Sequence, residues 1–344
     1  MVTITDVAAK AGVSRTTVSY VLSGSEVAER ISSETRGRVM EAVEALGYRR
    51  NALAHAVTTG KNRMLGFWVM QSNREPVVRV LAGAMKEADA KGYFIKMLGF
   101  DNQTSPDAIV RQCIEWRVSG LIAIHAPEEL LERVHPQIKA AHIAAIIVDS
   151  QQPPQGSLHI ASDCAGGIGQ IVDFLLEQGH RDIALIAGFN GETDRISMRR
   201  ENAYRTAMQR AGLEDQTNVR YGYWNYESTD RTEIATRELL GSANRPTAIV
   251  CVSDHTAMVV IRTAAQIGVR VPDELSVTGF DDVSTAALYN PPLTTVSQKF
   301  EEMGARAVRH LLRGEGNGEQ PQYEEELLPT QLVVRNSTAL FNRH

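Results

Sequence analysis

The pattern of apolar and polar positions changes character once along the chain. In the first fifty residues the apolar positions recur at helical spacing. Thr3 caps a short helix with Asp6 at its third position, and Gly12 stops it. Ser14 caps a second helix over 15–22, so the two cross sharply around the glycine as a helix-turn-helix, with Ala8, Ala9, Val13, Val18 and Val21 as its small core. A third helix is capped by Ser32, carries Val39, Val43 and Leu46 at helical spacing, and stops at Gly47. From residue 64 the rhythm becomes short apolar runs at 64–70, 93–98, 120–124, 144–148, 183–187, 248–252 and 275–279, separated by helical patterns. Val77, Val80, Leu81, Ala84, Met85 and Ala88 give the clearest of these. Near-continuous apolar strands alternating with helices predict parallel sheets covered on both faces. About 280 residues are too many for one six-stranded sheet, so two sheets with a cleft between them are expected. The small, polar stretch 58–63 reads as a joint.

Charge sharpens this division. The 344 residues carry a net charge of −5, which taken whole argues against nucleic acid as a partner. Residues 1–63 hold nine Lys and Arg against six Asp and Glu, a balance of +3, whereas the remainder holds 27 against 35, a balance of −8. Such asymmetry points to separate tasks for head and body. No apolar run approaches the roughly 18 residues of a membrane span, and the N-terminus lacks the basic and apolar regions of a secretory signal. Cys113, Cys164 and Cys251 are widely spaced beside apolar stretches, as expected of reduced, buried thiols in a cytoplasmic protein.

In the second helix, Arg15, Thr16, Thr17, Ser19 and Tyr20 point outward, and these are side chains able to reach base edges and phosphates in a major groove. The run Asp6-Val7-Ala8-x-x-Ala11-Gly12-Val13-Ser14-x-x-Thr17-Val18-Ser19-x-Val21-Leu22, followed by Thr35-Arg36-x-x-Val39 and Leu46-Gly47-Tyr48-x-x-Asn51, closely resembles the lactose/galactose repressor family of bacterial transcription regulators. The resemblance implies that Arg15 and Thr16 read bases. It implies that Ser14, Thr17 and Ser19 contact phosphates or set register, and Thr3 and Tyr20 complete the expected DNA-facing set. It also implies a hinge helix over 51–57 that folds on the operator and lies in the minor groove, with Asn51, Ala54, His55 and Val57 at the DNA. Val57 stands where the family typically places a leucine wedge, so it should penetrate the base stack less deeply. Tyr20 replaces the arginine or histidine often found there. The loop 23–31 is about three residues longer than usual and carries Glu26 and Glu29, so it should point away from the duplex.

The resemblance extends over the body, implying the two-lobed effector domain of periplasmic-binding-protein type. The expected architecture is a small all-α helix-turn-helix head (1–50), a hinge helix and linker (51–63), and an α/β two-lobed parallel-sheet body (64–344). Within the body, an N-lobe is expected at about 64–160 and 293–325, and a C-lobe at about 161–292 and 326–344. Effector-binding positions implied by the resemblance are Arg200, Asp281, Trp224 and Phe300, with Asp149, Ser253 and Asp254 as further polar groups at strand ends. Where many members carry an Asn-Pro-aromatic-aromatic run that stacks on a sugar, this chain has Asn73-Arg74-Glu75-Pro76-Val77-Val78. Arg74 could pair an acidic group of the effector; alternatively Arg74 and Glu75 form a solvated surface pair.

Enzyme motifs fail one by one. Gly167-Ile168-Gly169 lacks the third glycine of a dinucleotide turn. No phosphate-binding loop, nucleophile elbow or zinc-protease motif occurs, and the nine histidines show no metal spacing. No catalytic residue, metal or cofactor is expected. The expected function is a regulator, most simply a repressor, that binds a palindromic operator as a homodimer and responds to a small effector: a sugar, a sugar derivative or a nucleobase. The helix over 77–88 is a candidate dimer surface. Leucine heptads of the kind that build the lactose repressor's tetramer are absent after Val334, which favours a dimer. The alternative is a cytosolic sugar-binding protein that never meets DNA.

Overall fold

The computed structural model describes residues 2–23, 30–49, 62–70, 74–100, 105–150, 154, 157–188, 195–222, 229–314 and 324–341. The chain divides into two compact units, Met1–Asn62 and Arg63–His344.

The first unit contains helices α1 (Ile4–Ala11), α2 (Arg15–Ser23) and α3 (Ser33–Leu46). A full capping box opens α1. The Asp6 amide donates to Thr3 Oγ1, and Asp6 Oδ2 accepts from the Thr3 amide at 2.7 Å. Gly12 closes α1 at φ 66°, a left-handed conformation that costs glycine little. Val7, Ala8, Ala11, Val18, Val39 and Ala42 are buried together. Ala9, expected in this core, is exposed instead, because the buried face of α1 runs through Val7, Ala8 and Ala11.

The second unit is two-lobed. The N-lobe runs β1 (Met64–Met70), α4 (Glu75–Ala90), β2 (Phe94–Phe100), α5 (Pro106–Glu115), β3 (Gly120–Ile124), α6 (Glu128–Ala140), β4 (Ala144–Val148) and β5 (Leu158–Ser162). The C-lobe continues with α7 (Cys164–Glu177), β6 (Ile183–Gly188), α8 (Arg195–Arg210), β7 (Asn218–Gly222), α9 (Asp230–Gly241), β8 (Ala248–Cys251), α10 (Asp254–Gln266), β9 (Ser276–Thr278) and β10 (Thr295–Ser297). The chain then returns to the N-lobe as α11 (Phe300–Gly314) and β11 (Glu324–Leu328), and ends in the C-lobe with β12 (Gln331–Val333).

The N-lobe sheet is parallel, in the order β11-β5-β4-β3-β1-β2, and the C-lobe sheet is parallel, in the order β7-β6-β8-β9. An antiparallel pair, β10-β12, lies beside the second sheet. Each sheet has a buried cluster on both faces, the reason its strands read as unbroken apolar runs.

The crossings between lobes fall just after Ser162, between Ser297 and Phe300, and between Leu328 and Gln331. The allocation of residues therefore departs from expectation at its edges. Leu293 and Val296 pack in the C-lobe cores, which takes 293–297 out of the N-lobe, while β5 runs to Ser162 and Leu328 packs in the N-lobe core, which takes 161–162 and 326–328 out of the C-lobe. Among the described residues, no helix is long and apolar enough to cross a membrane.

Candidate functional site

In the head, α2 turns Arg15 and Thr16 fully outward, and Tyr20 is 40% exposed. Ser19 is half-buried on the same helix. Three of the expected DNA contacts already hold local partners. Ser14 Oγ accepts from the Thr17 amide at 3.0 Å and shares a 2.9 Å bond with Thr17 Oγ1, so the pair caps α2. Thr3 Oγ1 donates to Asp6 at 2.8 Å. The bonds from Thr3 hold the exposed Asp6 carboxyl below its ordinary range, where its charge favours the N-terminus of α1. Asn51, Ala54, His55 and Val57 lie outside the described residues.

In the body, polar side chains gather where strands end and the lobes face one another. From the N-lobe, His125 follows β3 and Asp149 follows β4; both take positive φ, 48° and 47°. A carboxylate can only accept, so His125 Nε2 carries the proton and donates to Asp149 Oδ2 at 2.9 Å. Burial alone would push the Asp149 carboxyl up. The bond from His125, helped by the charges of His125 and Arg200, brings it instead to about 2. Behind this pair His159 is fully buried. Its Nε2 accepts from the Ser150 amide at 3.3 Å, so Nδ1 bears the proton and donates to Glu325 at 3.1 Å. That tautomer is neutral, as burial requires.

From the C-lobe come Arg200 on α8 and Asp281 after β9. Arg200 is 2% exposed; it donates to the Val252 carbonyl and, at 3.4 Å, to Asp281 Oδ1, with its guanidinium carbon 4.1 Å from the Phe280 ring centre. Asp281 Oδ1 also accepts from Gln298 Nε2 at 2.6 Å. Burial raises the Asp281 carboxyl, and the guanidinium groups of Arg200 and Arg74 pull it back only in part. Asp281 and Asp282 sit at φ 121° and 53°. Left-handed backbone of this kind costs on the order of 1–3 kcal/mol per residue and persists where surrounding bonds enforce it. Asp254, wholly buried at the start of α10, supplies such bonds: it accepts from the Val283 amide at 2.8 Å and from Thr295 Oγ1. A Cβ on Gly279 would strike Asp254 Oδ1, so only glycine lets the turn close over it. Burial, with Asp281 nearby, pushes the Asp254 carboxyl up to about 7.

The structure thus gathers Arg200, Asp281 and Asp149, with Arg74 close enough to act on Asp281. It gives two other expected positions a different role. Ser253 Oγ is taken up as the N-cap of α10, accepting from the Thr256 amide at 3.2 Å. Phe300 is 2% exposed in the N-lobe core, with the Arg79 guanidinium 5.3 Å from its ring centre. Its apolar ring at the head of α11 fills that core rather than the polar gathering. Trp224 lies outside the described residues. Sequence reasoning missed His125 and Gln298; His125 directly follows the apolar run 120–124, the same signal that singled out Asp149, whereas Gln298 follows the mostly polar strand β10. Among the described residues no cluster of three or more His, Cys, Asp or Glu could hold a metal ion.

Comparison with known proteins agrees with both halves of this description. Residues 3–51 match the family described as bacterial regulatory proteins, lacI family, and residues 172–338 match the periplasmic binding protein-like domain. The transcriptional regulator DegA of Bacillus subtilis is 33% identical over 99% of both chains. The transcriptional repressor PurR of Vibrio campbellii is 29% identical over 99% of this chain and all of its own. Among solved structures, the lac repressor dimer bound to operator and the anti-inducer ONPF superimposes with a TM-score of 0.82 at 26% identity, covering 98% of this chain and 99% of that one. Similar to DegA over nearly its whole length, with a matching head, the chain belongs to the lacI family of bacterial regulatory proteins.

Proposed function

We propose that this protein is a transcription regulator that binds a palindromic operator as a homodimer and is switched by a small effector held between the two lobes of its body. The observation that carries this reading is the meeting of Asp149 and His125 from one lobe with Arg200 and Asp281 from the other, and with Gln298 at the crossing between them. Buried acceptors and donors in this arrangement suit a ligand rich in hydroxyls, or one with ring nitrogens. Gln298 Oε1 has no partner among the described residues, which leaves an acceptor for a ligand donor. Sugars and their derivatives fit best, with nucleobases as the second class. Arg74 extends the range to sugar acids.

Arg15 and Thr16 are the base-reading side chains, with Ser14, Thr17, Ser19, Tyr20 and Thr3 near the backbone and Asn51, Ala54, His55 and Val57 at the minor groove. For Ser14, Thr17 and Thr3 the cap hydrogen bonds fix the helix starts that approach the phosphates. Dimerisation is supported by exposed apolar side chains on α4 and the adjoining edge strand β2: Val78 and Met85 are each 52% exposed, Phe94 58% and Met97 44%.

The test is a salt titration of duplex binding together with a thermal-shift screen of sugars, sugar acids and nucleobases. DNA affinity should fall steeply as salt rises, through counterion release. One class of small molecule should stabilise the body by RT ln(1 + [L]/Kd), seen as a rise in its thermal midpoint. Absence of binding to any duplex at low salt would refute the regulator reading.

A further inference from the structure

Two side chains in the first turns of α4 reach out of the N-lobe and hold the C-lobe segment that carries Asp281. Both carboxylate oxygens of Glu75 accept from the Ser284 amide, at 2.9 and 3.0 Å, and Oε2 also accepts from Ser284 Oγ at 2.8 Å. Ser284 begins a short 3-10 turn, Ser284–Ala287, and Val283 before it offers no side-chain cap. Glu75 therefore caps, from the opposite lobe, a helical turn that its own lobe leaves bare.

One turn along α4, Arg79 donates through Nε and Nη2 to Glu301 at 2.7 and 3.1 Å, which fixes its guanidinium over Phe300. Its remaining terminal nitrogen donates to the Asp282 carbonyl at 3.3 Å. Asp282 and Asp281 are the residues held at positive φ, so the bond falls on the strained turn itself. Val77, Val80 and Ala84 of α4 are buried in the N-lobe core, while Val78 and Met85 face outward.

We infer that Glu75 and Arg79 are positioning residues: they latch the 281–284 segment to α4, hold the lobes together before any effector arrives, and transmit lobe movement to the outward face of α4. The inference rests on the reading of the cleft as the effector site. An effector can enter only when the lobes part, and parting breaks these bonds; closing over the ligand remakes them. Charge-assisted hydrogen bonds of this kind shift an open-closed equilibrium by about tenfold each, so the latch sets the closed fraction of the unliganded protein. Glu75 is thus engaged across the lobes, on Ser284.

The experiment uses the full chain with no ligand or DNA present. Spin labels at Glu132→Cys on α6 and Glu238→Cys on α9, both exposed, report the separation of the lobes in pulsed electron resonance, with excess unlabelled chain to isolate single protomers. The three native thiols are buried. Glu75→Ala should raise the weight of longer separations about tenfold, and Glu75→Gln by less. Ser284→Pro removes the same amide at a position where proline suits the first residue of a helical turn, and should reproduce Glu75→Ala. Distance distributions identical to the parent in both Glu75→Ala and Ser284→Pro would overturn the latch, even if the thermal midpoint fell. Because no DNA is present, failure of the regulator reading would appear in the salt titration and leave this result intact.

Discussion

Arg200 and Asp281 form a contact of 3.4 Å in which the guanidinium keeps only 2% of its side-chain surface open to water and the carboxylate 9%. Withdrawing both charges from water costs more than an isolated pair returns. Here the deficit is offset by the Val252 carbonyl, the face of Phe280 and the amide of Gln298. Such an arrangement contributes little net stability but offers a ligand fixed donors and acceptors.

Removing one partner exposes that balance. Arg200→Ala leaves Asp281 buried without its counter-charge, and urea denaturation should show the body weakened by about 3 kcal/mol. Midpoint shifts caused by the effector should disappear, while DNA affinity at fixed salt should persist. Loss of both together would assign Arg200 a purely structural role.

Asp254 predicts a pH dependence. Its folded-state value of about 7 lies above the ordinary aspartate value, so the folded protein holds a proton that the unfolded chain releases. That contribution is complete below about pH 4 and is lost as pH rises through 7, a difference on the order of a few kcal/mol. Asp254→Asn mimics the protonated acid: its oxygen can accept from Val283 and its amide can donate to Thr295. Denaturation midpoints of this variant should change less than those of the parent between pH 5 and 8, and a parallel decline would refute the assignment.

On the DNA side, Arg15→Ala and Thr16→Ala should each cost about 1–3 kcal/mol for the preferred operator and relax base preference at distinct positions. Selection of bound sequences from a random pool reads this directly. An unchanged consensus in both variants would move base reading away from the start of α2.

Val57→Leu should deepen the minor-groove wedge and tighten operator binding. Weaker binding in a gel-shift series would count against a hinge helix over 51–57.

A tighter steric test concerns α4 and α11. A Cβ on Gly304 would run into the backbone carbonyl of Val80, and one on Gly83 into that of Glu301. Gly304→Ala should therefore destabilise the N-lobe by about 1–3 kcal/mol, because neither helix backbone can yield without disturbing the core between them. Unfolding of the parent and the variant in urea measures it.

Much of the architecture was legible because buried parallel strands leave an unambiguous trace. The runs at 64–70, 120–124 and 144–148 coincide with β1, β3 and β4 to the residue. Some strands escaped notice: β5 is fully buried, but His159 and Ser162 break its apolar run, and two others border water. Asn218–Gly222 mixes polar with apolar residues because β7 is an outer strand, and Glu324–Leu328 opens with three glutamates because β11 is the other sheet's edge. In the cleft, Arg200, Asp281 and Asp149 could be marked because each stands beside a strand or a family motif. Glu75 could not: its partner Ser284 is 209 positions away, and nothing local signals a carboxylate capping a turn in another lobe.

The close approach of α4 and α11 at Gly83 and Gly304 has a mechanical consequence. Helices whose backbones touch cannot slide independently, so the two form one stiff lever. One of the two begins just after the crossing between Ser297 and Phe300, and the other carries Glu75 and Arg79 onto the 281–284 turn. A shift of that turn would therefore load both helices together rather than α4 alone.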